Sequence, residues 1–219
     1  MPTWGPRWER RGVGETSFAR QYSFMSHELP ALVIVTGAPG SGKTTLSRQL
    51  AARLRVPCLA RDDFRTGLFF TAGGWTNTPG RLPSVQESID TFLKAMHHLL
   101  SLDVSCVVDY VLRGDRPDEL AELSSKARCI VIRTACPAAM DRYLFRVRND
   151  TLVNRPAVLR ALGFPTIDDA VASYRAGAEK LMPLLEDLLI VAPAIDVDTS
   201  DGYDPNLDSI VGFVISQSR

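Results

Sequence analysis

Gly37-Ala38-Pro39-Gly40-Ser41-Gly42-Lys43-Thr44-Thr45 is the stretch that decides how this chain is read. It matches G-x-x-x-x-G-K-[ST] in full, and its surroundings carry more weight than the pattern. Upstream, Ala31-Leu32-Val33-Ile34-Val35-Thr36 is a continuous apolar, β-branched run, as expected of a strand buried on both faces. Downstream, Gly42 to Arg55 reads as a helix. Between them, Gly37, Gly40 and Gly42 permit backbone angles closed to other residues, so successive N–H groups can converge on phosphate oxygens. The helix N-terminus adds a partial positive charge. Residues 37–45 are therefore expected to cradle a nucleoside triphosphate. In that cradle Lys43 reaches the β- and γ-phosphates and the Thr44 hydroxyl ligates magnesium.

Outward from this loop the chain alternates strand and helix. Pro57-Cys58-Leu59-Ala60 reads as a second strand and Val104 to Asp109 as a third. Arg128 to Arg133 follows as a fourth and Ala194 to Asp198 as a fifth. Ser84 and Glu87 form a capping box after Pro83, opening a helix expected to bury Val85, Ile89, Phe92, Met96 and Leu99. Asp115 with Pro117 opens another helix, and Ala138 to Asn149 carries Met140, Tyr143, Leu144 and Val147 on one face. Thr166 and Asp169 cap a helix with Ile167, Val171, Tyr174, Ala178 and Leu181 inward, which Pro183 should kink or end. Asp204 to Ser216 reads as the closing helix. Five strands alternating with helices give an α/β fold, a parallel sheet covered on both faces.

Three further signals fall where an open parallel sheet places its ligands, beyond the carboxyl ends of the strands. Arg61-Asp62-Asp63-Phe64-Arg65 lies just past the second strand. A carboxylate there faces the γ-phosphate and can accept the proton of an attacking hydroxyl. The competing reading is that Asp62 or Asp63 caps the following helix. Arg65, one turn on, is placed to hold an anionic part of an acceptor. Asp109 ends the third strand where a Walker-B-type Asp belongs, near magnesium or the acceptor. Tyr110 follows it, where hydrolytic motor ATPases place a water-activating Glu, which favours a transferase. Arg116 either contacts the acceptor or is simply solvated. Lastly, Arg142, Arg146, Arg148 and Arg155 form a basic cluster. At about 100° per residue, Arg142 and Arg146 lie opposite the apolar face of their helix. They are free to form a lid over the nucleotide, supplying transition-state charge and excluding water. A solvated basic face is the alternative, and which arginine acts is open.

Composition narrows the function. The 219 residues suit one domain, 45% of them hydrophobic, and Lys plus Arg equals Asp plus Glu at 25 each. No global basic field exists to hold nucleic acid or a membrane surface. No apolar run nears the roughly 20 residues of a membrane span. Residues 1–28 lack periodicity and an apolar signal core, and read as a disordered extension, with Met25 as an alternative start. Cys58, Cys106, Cys129 and Cys136 show no C-x-x-C spacing. They read as buried thiols of a reducing, cytoplasmic compartment. His27, His97 and His98 are not spaced as metal ligands. Trp75, in the Gly-rich loop Thr71–Gly80, either covers substrate or packs on its own helix.

With these pieces assembled, the chain resembles the small P-loop kinases grouped around bacteriophage polynucleotide 5′-kinase, zeta toxin and chloramphenicol phosphotransferase (AAA_33-like ATP-binding proteins). The resemblance spans roughly Leu32 to Val214. It is carried by residues 37–45, by Arg61–Arg65, by Val107-Val108-Asp109 with Arg116, and by the Arg142–Arg155 cluster. It implies a three-layer P-loop kinase fold with sheet order 2-3-1-4-5 over 29–219 and an arginine-bearing lid near 142–165. It also implies Asp62 as general base, Arg65 as an acceptor contact, and a lid arginine, Arg146 or a neighbour, at the transferred phosphate. Thr66 to Arg81 departs from all three relatives, so acceptor identity does not carry over.

The expected activity is an ATP- and Mg²⁺-dependent transfer of the γ-phosphate to a hydroxyl of a small molecule. Alternatives are a polynucleotide 5′-hydroxyl kinase, a zeta-like sugar-nucleotide kinase, and, from another class, a non-catalytic nucleotide switch. The chain has neither the N-K-x-D element of switch GTPases nor the serine-glycine-glycine signature of ABC ATPases.

Overall fold

The computed structural model describes residues 29–73, 83–113, 117–150, 156–186 and 192–217. The proposed N-terminal extension (1–28), Trp75, Arg116 and Arg155 lie outside the described residues. β1 (Ala31–Gly37) is buried along all but its last residue. Side chains alternate across a strand, so Leu32 and Ile34 enter one core while Val33 and Val35 enter the other. β2 (Cys58–Ala60), β3 (Cys106–Asp109), β4 (Arg128–Ala135) and β5 (Ala194–Asp198) join it in one sheet of order β2-β3-β1-β4-β5, every pair parallel.

Helices fill both faces. On one side, α1 (Lys43–Leu54) and α8 (Leu207–Gln217) press Leu46, Leu50, Ile210 and Val214 onto the sheet. On the other, α3 (Val85–Ser101) presses Phe92, Met96 and Leu100. Phe92 is fully buried, stacked on Tyr110 at 5.2 Å and met edge-on by Phe64 at 5.7 Å. Burying a ring of this size stabilises the fold by about 1.5–3 kcal/mol. The remaining helices are α2 (Arg61–Thr71), α4 (Pro117–Ser124), α5 (Ala139–Asn149), α6 (Pro156–Ala161) and α7 (Ile167–Glu186).

Three local expectations are corrected and a fourth, at Pro183, is narrowed. The capping box forms, Ser84 Oγ accepting from Glu87 N at 3.1 Å and Glu87 accepting from Ser84 N at 2.7 Å. The buried stripe behind it runs Ser88, Phe92, Met96, Leu100, while Val85 is 49% exposed: it shares the face of Phe92 but is the first residue of the helix, beyond the end of that stripe. Neither Asp62 nor Asp63 caps α2, since the helix starts at Arg61 with Ala60 as its N-cap. Pro183 sits inside α7 and does not end it. The closing helix starts at Leu207: Asp204 is drawn into a bridge with Asp198, and Asn206 Oδ1 accepts from Ser209 N at 2.9 Å.

The register positions the site. Val35 pairs with Asp109, Ala60 with Asp109, and Gly37 with Thr134. The carboxyl ends of the strands thus share one edge, and whatever follows each strand emerges there. All four cysteines are free, and burial pushes the Cys106 thiol up to about 12. Among the described residues, no helix is long and apolar enough to cross a membrane.

Candidate active site at the carboxyl edge of the sheet

The loop between β1 and α1 is built on left-handed glycines. Gly37, Gly40 and Gly42 have φ of +142°, +84° and +82°. A Cβ on Gly40 would lie 2.0 Å from the Ala139 carbonyl oxygen, so the loop packs backbone to backbone on the first turn of α5. Two threonines brace it from behind. Thr134 Oγ1 donates to Thr36 O at 3.1 Å, which leaves the Ser41 hydroxyl to donate to Thr134 Oγ1 at 2.6 Å. Thr199, just past β5, donates to Ser41 O at 2.9 Å. Its own carbonyl accepts from Arg142 Nη1 at 3.0 Å, and Ser200 O accepts from Arg142 Nη2 at 2.7 Å.

Lys43 and Thr44 stand at the start of α1. The Lys43 ammonium donates to Ala38 O at 2.7 Å, and the Thr44 hydroxyl donates to Asp109 Oδ2 at 2.5 Å. Burial lowers the Lys43 pKa, against the opposing pull of Asp109 and Asp62. Asp109 ends β3 almost fully buried. Burial pushes its carboxyl up and Asp62 adds to this, while the Thr44 hydrogen bond and Lys43 pull it down. Magnesium takes oxygen ligands, typically one or two protein groups together with substrate phosphates. The Thr44 hydroxyl and Asp109 carboxylate, side by side at the loop, fit such an ion.

Asp62 projects from the first turn of α2 with its side chain 70% exposed to the cleft. Desolvation by the cleft walls raises its carboxyl, but Arg61, through charge and a 2.5 Å contact, then Arg65 and Lys43, outweigh it and hold the carboxyl below its ordinary value. The neighbouring Asp63 turns away and makes a two-pronged pair with Arg48 of α1, both contacts 2.9 Å. The tandem aspartates therefore divide: Asp62 faces the cleft and Asp63 ties α2 to α1.

Two adjoining cavities open here. One of about 490 Å³ is lined by the loop, Lys43, Thr44, Asp62, Asp109, Arg142 and Arg146. The second, of about 370 Å³, lies among α2, α5, α6 and α7. Thr44, Arg61, Asp62, Tyr143 and Arg146 line both, so Asp62 and Arg146 stand at the junction. Arg65 lines only the second. Arg148 instead pairs with Asp168 at 2.8 Å on the surface. Of the clustered arginines, two thus meet the first cavity, and Arg155 is outside the described residues. Motif reading missed Thr134, Thr199, Arg61 and Tyr143. Arg61 was legible, being adjacent to Asp62; the threonines were not, because strand register alone brings them to the loop.

Strand order and loop together define a P-loop kinase-like domain. The chain belongs to the AAA domain family, whose AAA_18 model matches residues 33–155. A candidate kinase from Chloroflexus aurantiacus is 25% identical, with 87% of this chain and 99% of that one covered at a TM-score of 0.62. A sugar kinase from Janibacter sp. is 18% identical, over 86% and 94% of the two chains, at 0.48. For a shikimate kinase from Bacteroides thetaiotaomicron the figures are 18%, 85%, 97% and 0.46. No curated protein matches the chain.

Proposed function

We propose that this protein is an ATP-dependent phosphotransferase that moves the γ-phosphate to a hydroxyl of a small-molecule acceptor. One observation carries the reading: Asp62 lines both the cavity that holds Lys43, Thr44 and Asp109 and the separate cavity beside it. A carboxylate at that junction touches donor and acceptor sides alike.

The loop amides and Lys43 bind the polyphosphate, and Thr44 and Asp109 would hold magnesium, which would neutralise phosphate charge. Asp62 accepts the acceptor's hydroxyl proton. The acceptor oxygen forms the new P–O bond as the bond to the β-phosphate oxygen breaks and ADP leaves. Arg146, lining both cavities, supplies charge to the transferring group, and Arg65, lining the second, contacts the acceptor. Arg142 with the α5–α7 region forms the cover over the site. No covalent intermediate is needed, since positioning and charge supply most of the catalysis.

ADP release across an acceptor panel tests this. Lys43→Ala should abolish ATP consumption, whereas Asp62→Asn should keep ATP binding and stop transfer. Near-normal turnover by Asp62→Asn would remove the general base from the scheme.

A further inference from the structure

The second cavity changes character beyond its junction with the first. Apart from the residues shared by both, its wall is dominated by Phe69, Pro83, Val147, Val158, Leu162 and Tyr174. Among the described residues, Arg65, Thr66, Asp150 and the Tyr174 hydroxyl are the polar groups there. The polar equipment is concentrated at the shared end, at Thr44, Arg61, Asp62 and Arg146. The apolar wall is set in place by packing. Val147 and Val158 are 9% and 5% exposed. Tyr174 meets Tyr143 edge-on at 6.2 Å and Phe164 at 6.0 Å.

Such a wall selects by desolvation. A polyol entering it takes several hydroxyls out of water with few partners to replace it. A hydrocarbon ring entering it gains by leaving water. A nucleic-acid strand needs a succession of cations along its phosphates, and among the described residues Arg65 is the one arginine or lysine in the wall beyond the junction. The volume, about 370 Å³, lies toward the lower end of small-molecule pockets, roughly 300–1,000 Å³, the scale of a compact molecule. We infer that the acceptor is an alcohol with a compact apolar body, aryl or alicyclic, whose hydroxyl reaches Asp62 while its body fills the Phe69–Val158–Leu162 wall. This rests on the phosphotransferase reading above and adds the substrate class to it.

The full chain, with magnesium and a saturating non-hydrolysable ATP analogue, tests the inference by ligand-observed NMR. The probes are cinnamyl alcohol, cyclohexylmethanol and adamantylmethanol, set against glucose, gluconate and a 5′-hydroxyl oligothymidylate. The apolar alcohols should bind the natural protein and bind Leu162→Asp about tenfold more weakly. Val158→Thr, which exchanges a methyl for a hydroxyl in the same wall, should weaken them by less. Calorimetry should show unchanged affinity for the ATP analogue in both variants. Preferred binding of glucose, gluconate or the oligonucleotide overturns the inference. So do apolar alcohols that bind no protein, or bind all three equally. In those cases the phosphotransferase reading is decided separately by ADP release across the acceptor panel; failure of the natural protein to bind the analogue takes down both.

Discussion

Replacing Gly40 with alanine tests the close approach of the phosphate loop to α5. The added Cβ would sit 2.0 Å from Ala139 O and 2.9 Å from Tyr143 N, at a φ of +84°. Carbon–oxygen contacts lie at about 3.3 Å, so loop and helix must part by more than about 1 Å. The partner is a backbone carbonyl, which has no rotamer to escape through. The left-handed angle costs an L-residue a further 1–2 kcal/mol, roughly. A misplacement of about 1 Å in a positioning element costs about 10²-fold in rate. We expect urea unfolding to show a loss of at least about 1–2 kcal/mol, and ATP turnover to fall about 10²-fold. Gly212→Ala in α8 is the matched control, with nothing within 4 Å of the new methyl. It should stabilise by about 0.5–1 kcal/mol and leave ATP binding alone. If Gly40→Ala kept turnover within about twofold of the natural protein, the loop would not depend on that packing.

Thr199→Val keeps side-chain shape but removes the hydrogen bond to Ser41 O, whose residue is fully buried. Denaturant titration should show a loss of about 1–3 kcal/mol, and an unchanged midpoint would mean the hydroxyl braces nothing. Because its neighbours hold the Asp62 carboxyl below its ordinary 3.8, base-dependent transfer is present above that range and lost only as pH falls through the depressed value. Arg61→Gln removes the chief lowering cause, so the acid limb of kcat/KM should move to higher pH; a limb that stays put refutes the coupling. Arg146→Ala should cut kcat, whereas Arg148→Ala, which loses a surface pair with Asp168 at 54% and 73% exposure, should change stability by no more than about 1 kcal/mol and leave kcat intact. Equal kinetic losses in the two variants would assign both arginines to one role.

The phosphate loop was readable because its constraints are local: the glycines, Lys43 and Thr44 lie within nine consecutive positions between a strand and a helix. Sheet order followed from the family resemblance, since alternation alone sets parallel pairing but not sequence of strands. Local caution failed where a tertiary partner intervened. Asp204 leaves the last helix to bridge Asp198, and Asp63 is claimed by Arg48. The braces were invisible for a related reason. Ser41 meets Thr199 across 158 positions and Thr134 across 93, distances at which only register brings residues together. The second cavity is more remote still, because α2 and α5 contribute a few side chains, α6 and α7 one each, and none of them carries a pattern in its own helix.

Arg142 grips the carbonyls of Thr199 and Ser200, Thr199 grips Ser41, and Gly40 rests on Ala139. The phosphate end of the cleft is thereby one mechanical body assembled from three distant lengths of chain. The wall beyond Asp62 is drawn largely from α2, α6 and α7, which contribute none of those ties, with Val147 added from the tied helix α5. Drift in that wall can retune what is received without loosening what is delivered, so descendants of this scaffold have a route to new acceptors through side-chain exchange alone.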